Sequence, residues 1–120
     1  MGGMTARALR TCCLRLAGTE ETFPFGPETS VFKVGGKIFA ISPLRASELR
    51  VSLKVEPELG ERLRASYDEI GPGYHLNKRH WITLDLGGGL EDAMVRDLVE
   101  DSWALVASSL PRGVQARLGL

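Results

Sequence analysis

A short segment between residues 72 and 81 concentrates the chemically versatile side chains of this chain. It holds both histidines of the protein, two aromatic residues, an amide and two cations, and it holds no acid. These residues are Tyr74, His75, Asn77, Lys78, Arg79, His80 and Trp81. Hydrogen-bond donors beside aromatic faces suit an anionic ligand with flat rings. The segment is therefore the first candidate binding site, although Tyr74 and Trp81 would equally serve as core residues flanking a solvated turn.

Charges are sorted along the chain, although the formal net charge is zero. Between residues 30 and 55 the cations are Lys33, Lys37, Arg45, Arg50 and Lys54, and Glu48 is the sole acid. Between residues 85 and 101 six acids accompany Arg96 alone. This distribution is compatible with one positive surface, but a neutral total is not typical of a dedicated nucleic-acid-binding protein. We expect any affinity for anions to be moderate and sensitive to salt.

A hairpin is predicted where two apolar runs flank a pair of glycines. Residues 31–34 and 37–41 read as strands, and Gly35-Gly36 between them suits a tight two-residue turn. In this register the Phe32 and Phe39 side chains pair directly on the buried face, together with Ile41.

The next strand extends the sheet and gives it an exposed face. Residues 49–55 alternate between apolar and polar types, so Arg50 and Lys54 point away from the core together with Lys33. A later strand begins at Trp81 and places that ring on the same face. The exposed side of the sheet is therefore predicted to be basic and to carry an aromatic ring.

Helices are predicted from the cap at Thr5 to Gly18, over 57–66 and over about 90–109. The order α-β-β-β-α-β(β)-α predicts an α+β fold, an antiparallel sheet with helices packed on one face. We expect a single domain over residues 1–120, with 1–4 and about 112–120 fraying.

Membrane and metal functions are disfavoured by the composition. No apolar run approaches the roughly 20 residues of a membrane span, and the N-terminus has no signal-peptide core, so a cytoplasmic protein without membrane contact is expected. Cys12 and Cys13 are adjacent, which disfavours a disulfide between them, and we expect both to be reduced and structural. A site built from these thiols with His75 and His80 would lack the usual ligand spacings, so neither metal nor cofactor is predicted.

Enzyme function is also disfavoured. No paired carboxylate and no Ser-His-Asp order accompanies His75 or His80. The glycines at 87–89 precede a helix that could bind phosphate, but Glu91 and Asp92 already occupy its positive end. We therefore predict no catalytic residues.

Four segments carry a resemblance to a known family. They are Pro24-Phe25-Gly26, Val31-Phe32-Lys33-Val34-Gly35-Gly36-Lys37-Ile38-Phe39-Ala40, Ser52-Leu53-Lys54 and the segment 72–81. Together they resemble the MmcQ/YjbR family of small bacterial proteins. The resemblance implies a fold similar to type III secretion chaperones and the frataxin-like CyaY proteins. It also implies a double-wing arrangement with predicted DNA binding, and it brings no catalytic residues. The glycine-rich corner at 87–89 departs from the family pattern.

The resulting hypothesis is a non-catalytic module that binds DNA, as a monomer or weak dimer. Phosphate contacts are assigned to Lys33, Lys37, Arg50, Lys54, Lys78 and Arg79, base stacking or groove-edge packing to Tyr74, His75, His80 and Trp81, and base-edge reading to Asn77. Two alternatives stay open: a chaperone-like module that binds a protein partner, and a pocket for a small anionic ligand.

Overall fold

The computed structural model describes residues 4–73 and 75–120. The strands within them are β1 Thr19–Thr22, β2 Ser30–Val34, β3 Lys37–Ser42, β4 Arg50–Lys54, β5 Ile70–Pro72 and β6 Trp81–Asp85. The helices are α1 Ala6–Leu14, α2 Pro57–Ser66, α3 Asp92–Ser108 and α4 Arg112–Leu118. The strands form one antiparallel sheet in the order β1-β2-β3-β4-β6-β5. The predicted α+β class is confirmed.

All four helices contribute to a single core on one face of the sheet. Helix α3 lies across β3 and β4, α1 packs on α3 and β1, and α2 covers β5 and β6. Apolar side chains from both layers fill the space between them, including Leu9, Phe32, Leu53, Ile82 and Val99. The other face of the sheet carries no helix, so it is called the open face below.

Two elements form that the sequence patterns did not predict. Strand β1 has the sequence Thr-Glu-Glu-Thr, which shows no apolar alternation, and it forms because its backbone pairs with β2 over its whole length. Residues 112–120 were expected to fray, but α4 forms there, and Val114 and Leu118 pack against the core. Both elements depend on tertiary contacts rather than on their own hydrophobic pattern.

The hairpin contains a bulge that changes its register. Phe32 pairs with Ala40 and Lys33 pairs with Ile38, so Phe39 is the extra residue on β3. A bulge of this kind places two residues opposite one and locally bends the strand.

The bulge leaves Phe32 and Phe39 on the buried face as predicted, but it changes the face on which Ile41 lies. Phe32 and Phe39 are both fully buried, with ring centroids 6.5 Å apart, so their shared buried face is confirmed although they do not pair directly. The prediction for Ile41 is wrong: it pairs with Val31 and lies on the open face. One extra residue reverses the side on which every later residue of a strand lies.

Ser102 of α3 forms hydrogen bonds with the backbones of both β3 and β4 beside the bulge. The last paired residues of β3 and β4 at this end are Ala40 and Leu53. Just beyond them, the Ser102 hydroxyl donates to the Phe39 carbonyl at 2.6 Å and accepts from the Lys54 amide at 2.8 Å. This buried hydroxyl therefore ties α3 to both strands and satisfies two backbone groups that would otherwise be desolvated without partners.

The two thiols, Cys12 and Cys13, lie on α1. Cys13 is fully buried and Cys12 partly so, and neither forms a disulfide. Burial raises the pKa of the Cys13 thiol well above its usual value, and burial, assisted by Glu100, also raises the pKa of Cys12. Both sulfurs are therefore protonated near neutral pH, as expected of structural cysteines.

No helix in the described ranges, 4–73 and 75–120, is long and apolar enough to cross a membrane.

Replacing Phe39 by Ala should lower the free energy of unfolding by about 3–5 kcal/mol, because it leaves a cavity beside Phe32. Phe25→Ala is the matched control, since Phe25 is 65% exposed and its loss should change stability by less than about 0.5 kcal/mol. Urea unfolding of both variants measures the difference. Equal, small losses would contradict the bulged hairpin core.

Ser102→Ala should lower the free energy of unfolding by about 2–4 kcal/mol, because it strands a buried carbonyl and a buried amide. The control is Ser108→Ala, six residues further along the same helix, where the exposed hydroxyl donates to the Leu105 carbonyl. Similar unfolding midpoints for the two variants would show that Ser102 does not join α3 to the sheet.

Candidate nucleic-acid interface

The centre of the open face is a row of small or apolar side chains that crosses four strands. Val31 pairs with Ile41, Ile41 with Ser52, and Ser52 with Thr83. The Ser52 and Thr83 hydroxyl oxygens lie 2.9 Å apart and share a hydrogen bond. The row carries no charge, and Val31 and Ser52 within it are buried while Ile41 and Thr83 are partly exposed.

The lysines predicted for this face lie beside that row, two residues further along their strands. Lys33 on β2 pairs with Ile38, and Lys54 on β4 pairs with Trp81 on β6. Because one strand separates β2 from β4, the two backbones are roughly 10 Å apart. The alternation that placed both lysines and Trp81 on one face therefore agrees with the structure.

Acids accompany two of the predicted cations. Glu20 on β1 pairs with Lys33, and Asp85 pairs with Arg50, which also lies 4.0 Å from Glu48. The acid beside Lys33 was not predictable, because the polar sequence of β1 carries no strand pattern of its own. Lys54 has Trp81 as its cross-strand neighbour instead, so positive charge on this face is strongest at the Lys54 end.

The loop between Gly73 and Trp81 is held by backbone bonds at both ends. The Gly73 amide donates to the Trp81 carbonyl at 2.9 Å, and the Val55 amide donates to the His80 carbonyl at 2.8 Å. His75 is exposed and has a φ of 60°, a left-handed conformation that few side chains adopt. The loop is therefore anchored beside Lys54 and Trp81.

Asn77 organises the turn that presents the two loop cations. Its carbonyl accepts hydrogen bonds from the amides of His80 and Trp81, at 3.2 and 3.0 Å. Its side-chain Oδ1 accepts from the Arg79 amide at 2.9 Å. This oxygen is engaged in an Asx-type turn, so the proposed base-reading role falls to the NH₂ group alone. Lys78 and Arg79 are exposed at the tip.

Helix α2 adds a cation that the sequence analysis missed. The Arg64 guanidinium donates from Nη1 to the Lys78 carbonyl at 3.4 Å, which brings a third positive group to the loop. No local pattern indicated this contact, because the two residues are distant in sequence and meet only when α2 packs beside β6.

The remaining predicted residues are placed differently. Lys37 lies at the hairpin turn, and its ammonium donates to Ser109 Oγ at 3.4 Å at the end of α3, away from the open face. Tyr74 lies outside the described residues. Trp81 is partly buried, and His80 is exposed. Among residues 4–73 and 75–120, no three His, Cys, Asp or Glu side chains are grouped to hold a metal ion.

Comparison with known proteins settles the family. The YjbR family model matches residues 14–105. The chain belongs to the YjbR family. It is 44% identical to the uncharacterised protein YbdF of Escherichia coli O157:H7 over 109 residues, covering 88% of this chain and 86% of YbdF. It is 34% identical to the uncharacterised protein YjbR of Escherichia coli K12, covering 90% of this chain and 92% of the relative.

Solved structures show the same fold. The crystal structure of Deinococcus radiodurans protein DR2400, with a DUF419 domain, superposes with a TM-score of 0.90 at 41% identity, covering 97% of this chain and 88% of that one. A crystal structure of a Pseudomonas syringae protein superposes with a TM-score of 0.74 at 29% identity, covering 86% of this chain and 99% of that one. Membership of the YjbR family establishes the fold, and function has to be argued from the site.

Gly73→Ala should displace the loop, because a Cβ at this position would lie 2.5 Å from the Trp81 Cβ and 3.2 Å from the Leu76 Cβ. We expect a loss of about 1–3 kcal/mol in stability, and a shift of the Trp81 indole resonance in an NMR spectrum. Gly71→Ala is the control, since nothing lies within 4 Å of its Cβ position. If both variants leave the indole resonance in place, Gly73 does not position Trp81.

Proposed function

We propose that this YjbR-family protein is a non-catalytic module that binds nucleic acid through the Lys54 end of its open face and the loop at 75–80. The observation that carries the proposal is the pairing of Lys54 with Trp81 on a face without helices, directly beside the exposed Lys78 and Arg79. Cations set beside an aromatic ring on an open sheet suit a ligand that alternates phosphates with flat bases.

Phosphates would contact the flexible cations, and a base would contact the ring. Lys54, Lys78, Arg79 and Arg64 provide the positive groups, of which two are exposed at the loop tip and two are partly buried beside it. Such contacts supply affinity by releasing counterions from the phosphate backbone. Trp81 would stack on an unpaired base or pack at the edge of a groove. Lys33 and Arg50 would extend the contact, weakened by Glu20 and Asp85.

The acids of the chain support the same orientation of the ligand. Asp97, Glu100 and Asp101 are exposed on α3, which packs on the opposite face of the sheet. Their repulsion would favour binding on the open side, although the net charge is zero.

The absence of catalysis is part of this proposal. Cys12 and Cys13 have raised pKa values because they are buried, so they are poor nucleophiles at neutral pH. We place the activity in the cytoplasm, where nucleic acid is available.

Lys78→Glu combined with Arg79→Glu should weaken binding to a mixed-sequence duplex or single strand without unfolding the domain. The slope of log affinity against log salt should flatten by up to about two, roughly one for each lost phosphate contact. Fluorescence anisotropy at several salt concentrations, beginning near about 50 mM, measures both quantities.

The matched control changes the charge equally at a distance from the site. Lys37→Glu with Arg112→Glu alters two exposed cations, one at the hairpin turn and one on α4, and should leave the salt slope nearly unchanged. If wild-type protein binds neither duplex nor single strand near about 50 mM salt, where phosphate contacts are strong, the nucleic-acid function is wrong and the protein-partner alternative takes its place.

A further inference from the structure

A concave site, separate from the open face, lies on the helix side of the sheet at its β1 edge. It is a cavity of about 430 Å³ bounded by α1, β1 and the loops that follow β1 and β3. Three arginines line it, Arg7, Arg10 and Arg45, together with the ring of Phe23. Its size falls within the range of pockets for small molecules. The open face is on the other side of the sheet, because Glu21 in this cavity pairs with the buried Phe32.

Arg10 is held in place by a nearly buried carboxylate. Its Nε donates to Glu21 Oε1 at 2.7 Å, and the Ser30 hydroxyl donates to Glu21 Oε2 at 2.7 Å. The Glu21 side chain is only 11% exposed. One carboxylate oxygen binds Arg10 Nε and the other binds Ser30, so the guanidinium is fixed through Nε. This arrangement preorganises a planar donor group toward the cavity.

The other two arginines carry charge that the described part of the chain does not neutralise. Within residues 4–73 and 75–120, the side chains of Arg7 and Arg45 make no ion pair and no hydrogen bond, and both are exposed. Arg45 lies in a turn closed by the Ala46 amide and the Pro43 carbonyl at 2.8 Å. Glu28 is the one acid of the lining without an arginine partner, so the cavity keeps an excess of positive charge.

An aromatic ring completes the lining. Phe23 is 50% exposed, so half of this large apolar side chain is available for contact with a ligand. Its neighbour Pro24 restricts the backbone of Phe23 to extended conformations. The ring and the apolar side chain of Leu44 line the same cavity as the arginines. The lining therefore suits a ligand with a flat apolar part joined to an anionic group.

We propose that this cavity binds a small organic anion in which a carboxylate or a phosphate is attached to an aromatic ring. Arg10 and Arg45 bind the anionic group, Phe23 packs against the ring, and Glu21 is a positioning residue that orients Arg10. The site is independent of the nucleic-acid surface, and either can fail without the other.

Binding is tested by NMR titration of the wild-type protein with phenyl phosphate and with benzoate up to about 10 mM, since fragments of this size bind at about millimolar concentration. The two probes distinguish a phosphate ligand from a carboxylate ligand. We expect shifts in the amides of residues 21–30 and 43–46 with at least one probe, about tenfold weaker binding of inorganic phosphate, and no saturation with benzyl alcohol. Absence of saturable shifts with both aryl anions would overturn the proposal.

Two variants test the role of individual residues. Arg45→Gln should weaken aryl-anion binding about tenfold, the loss of one charge-assisted contact, and should leave the fold intact because its side chain is exposed and unpaired among the described residues. Arg112→Gln, on α4, is the control and should have no effect. Equal affinities for these two variants would overturn the site.

The Glu21→Met variant distinguishes two effects of Glu21 on anion binding: its orientation of Arg10 and its negative charge. Removing a negative charge beside an anion site should strengthen binding if only the net charge matters. If Glu21 positions Arg10, binding should weaken severalfold, although a negative charge has been removed. Tighter binding would therefore overturn the positioning role, and a thermal melt confirms that the variant is folded.

Discussion

The hydroxyl of Ser102 is the contact on which the arrangement of this YjbR-family fold depends. It joins α3 to β3 and β4 just beyond the last pair of their ladder, Ala40 with Leu53, because it serves both the Phe39 carbonyl and the Lys54 amide. A buried polar bridge of this kind has only one satisfactory geometry, since moving the helix along the sheet would leave both backbone groups desolvated. The bridge therefore sets the position of the helical layer on the sheet as well as stabilising it.

The bulge beside this bridge decides which side chains reach each face. It allows Phe39 to remain in the core with Phe32, while Ile41 is directed to the open side next to Ser52. The centre of the open face then consists of small or apolar side chains, with Lys54 and Trp81 at one end. Among the described residues, the helices that pack on the sheet lie on its other face, and Val31 and Ser52 at the centre are nevertheless buried.

Two positive surfaces thus lie on opposite sides of a chain whose net charge is zero. On the open face, Lys54 is paired with Trp81, and a turn organised by Asn77 presents Lys78 and Arg79. Flexible cations of this kind suit a long polyanion. At the β1 edge, Arg10 is fixed by Glu21, and a rigid guanidinium suits one small anionic group, a carboxylate or a phosphate. The acids of α3 make the surface of that helix negative, which would direct an anionic ligand away from it.

The sequence alone predicts those elements whose capping residues or apolar periodicity are visible along the chain. The Thr5 cap, the helix from Pro57 to Ser66 and the alternation that turns Lys33 and Lys54 to one face all follow from spacing and residue type. Strand β1 was not predictable, because its polar sequence forms a strand only when β2 offers it an edge.

The composition of the candidate sites was decided by tertiary structure. The sequence identified Trp81, Lys78 and Arg79 because they are neighbours along the chain, but Arg64 reaches them only when α2 packs beside β6. Glu20 neutralises part of the open face only because β1 pairs with β2. Arg10 meets Glu21 only when α1 lies on β1, and Ser30 of β2 binds the other oxygen of the same carboxylate. Periodicity along a chain indicates which face a residue occupies. Which residues of other elements share that face depends on packing, for which a single sequence carries no local signal.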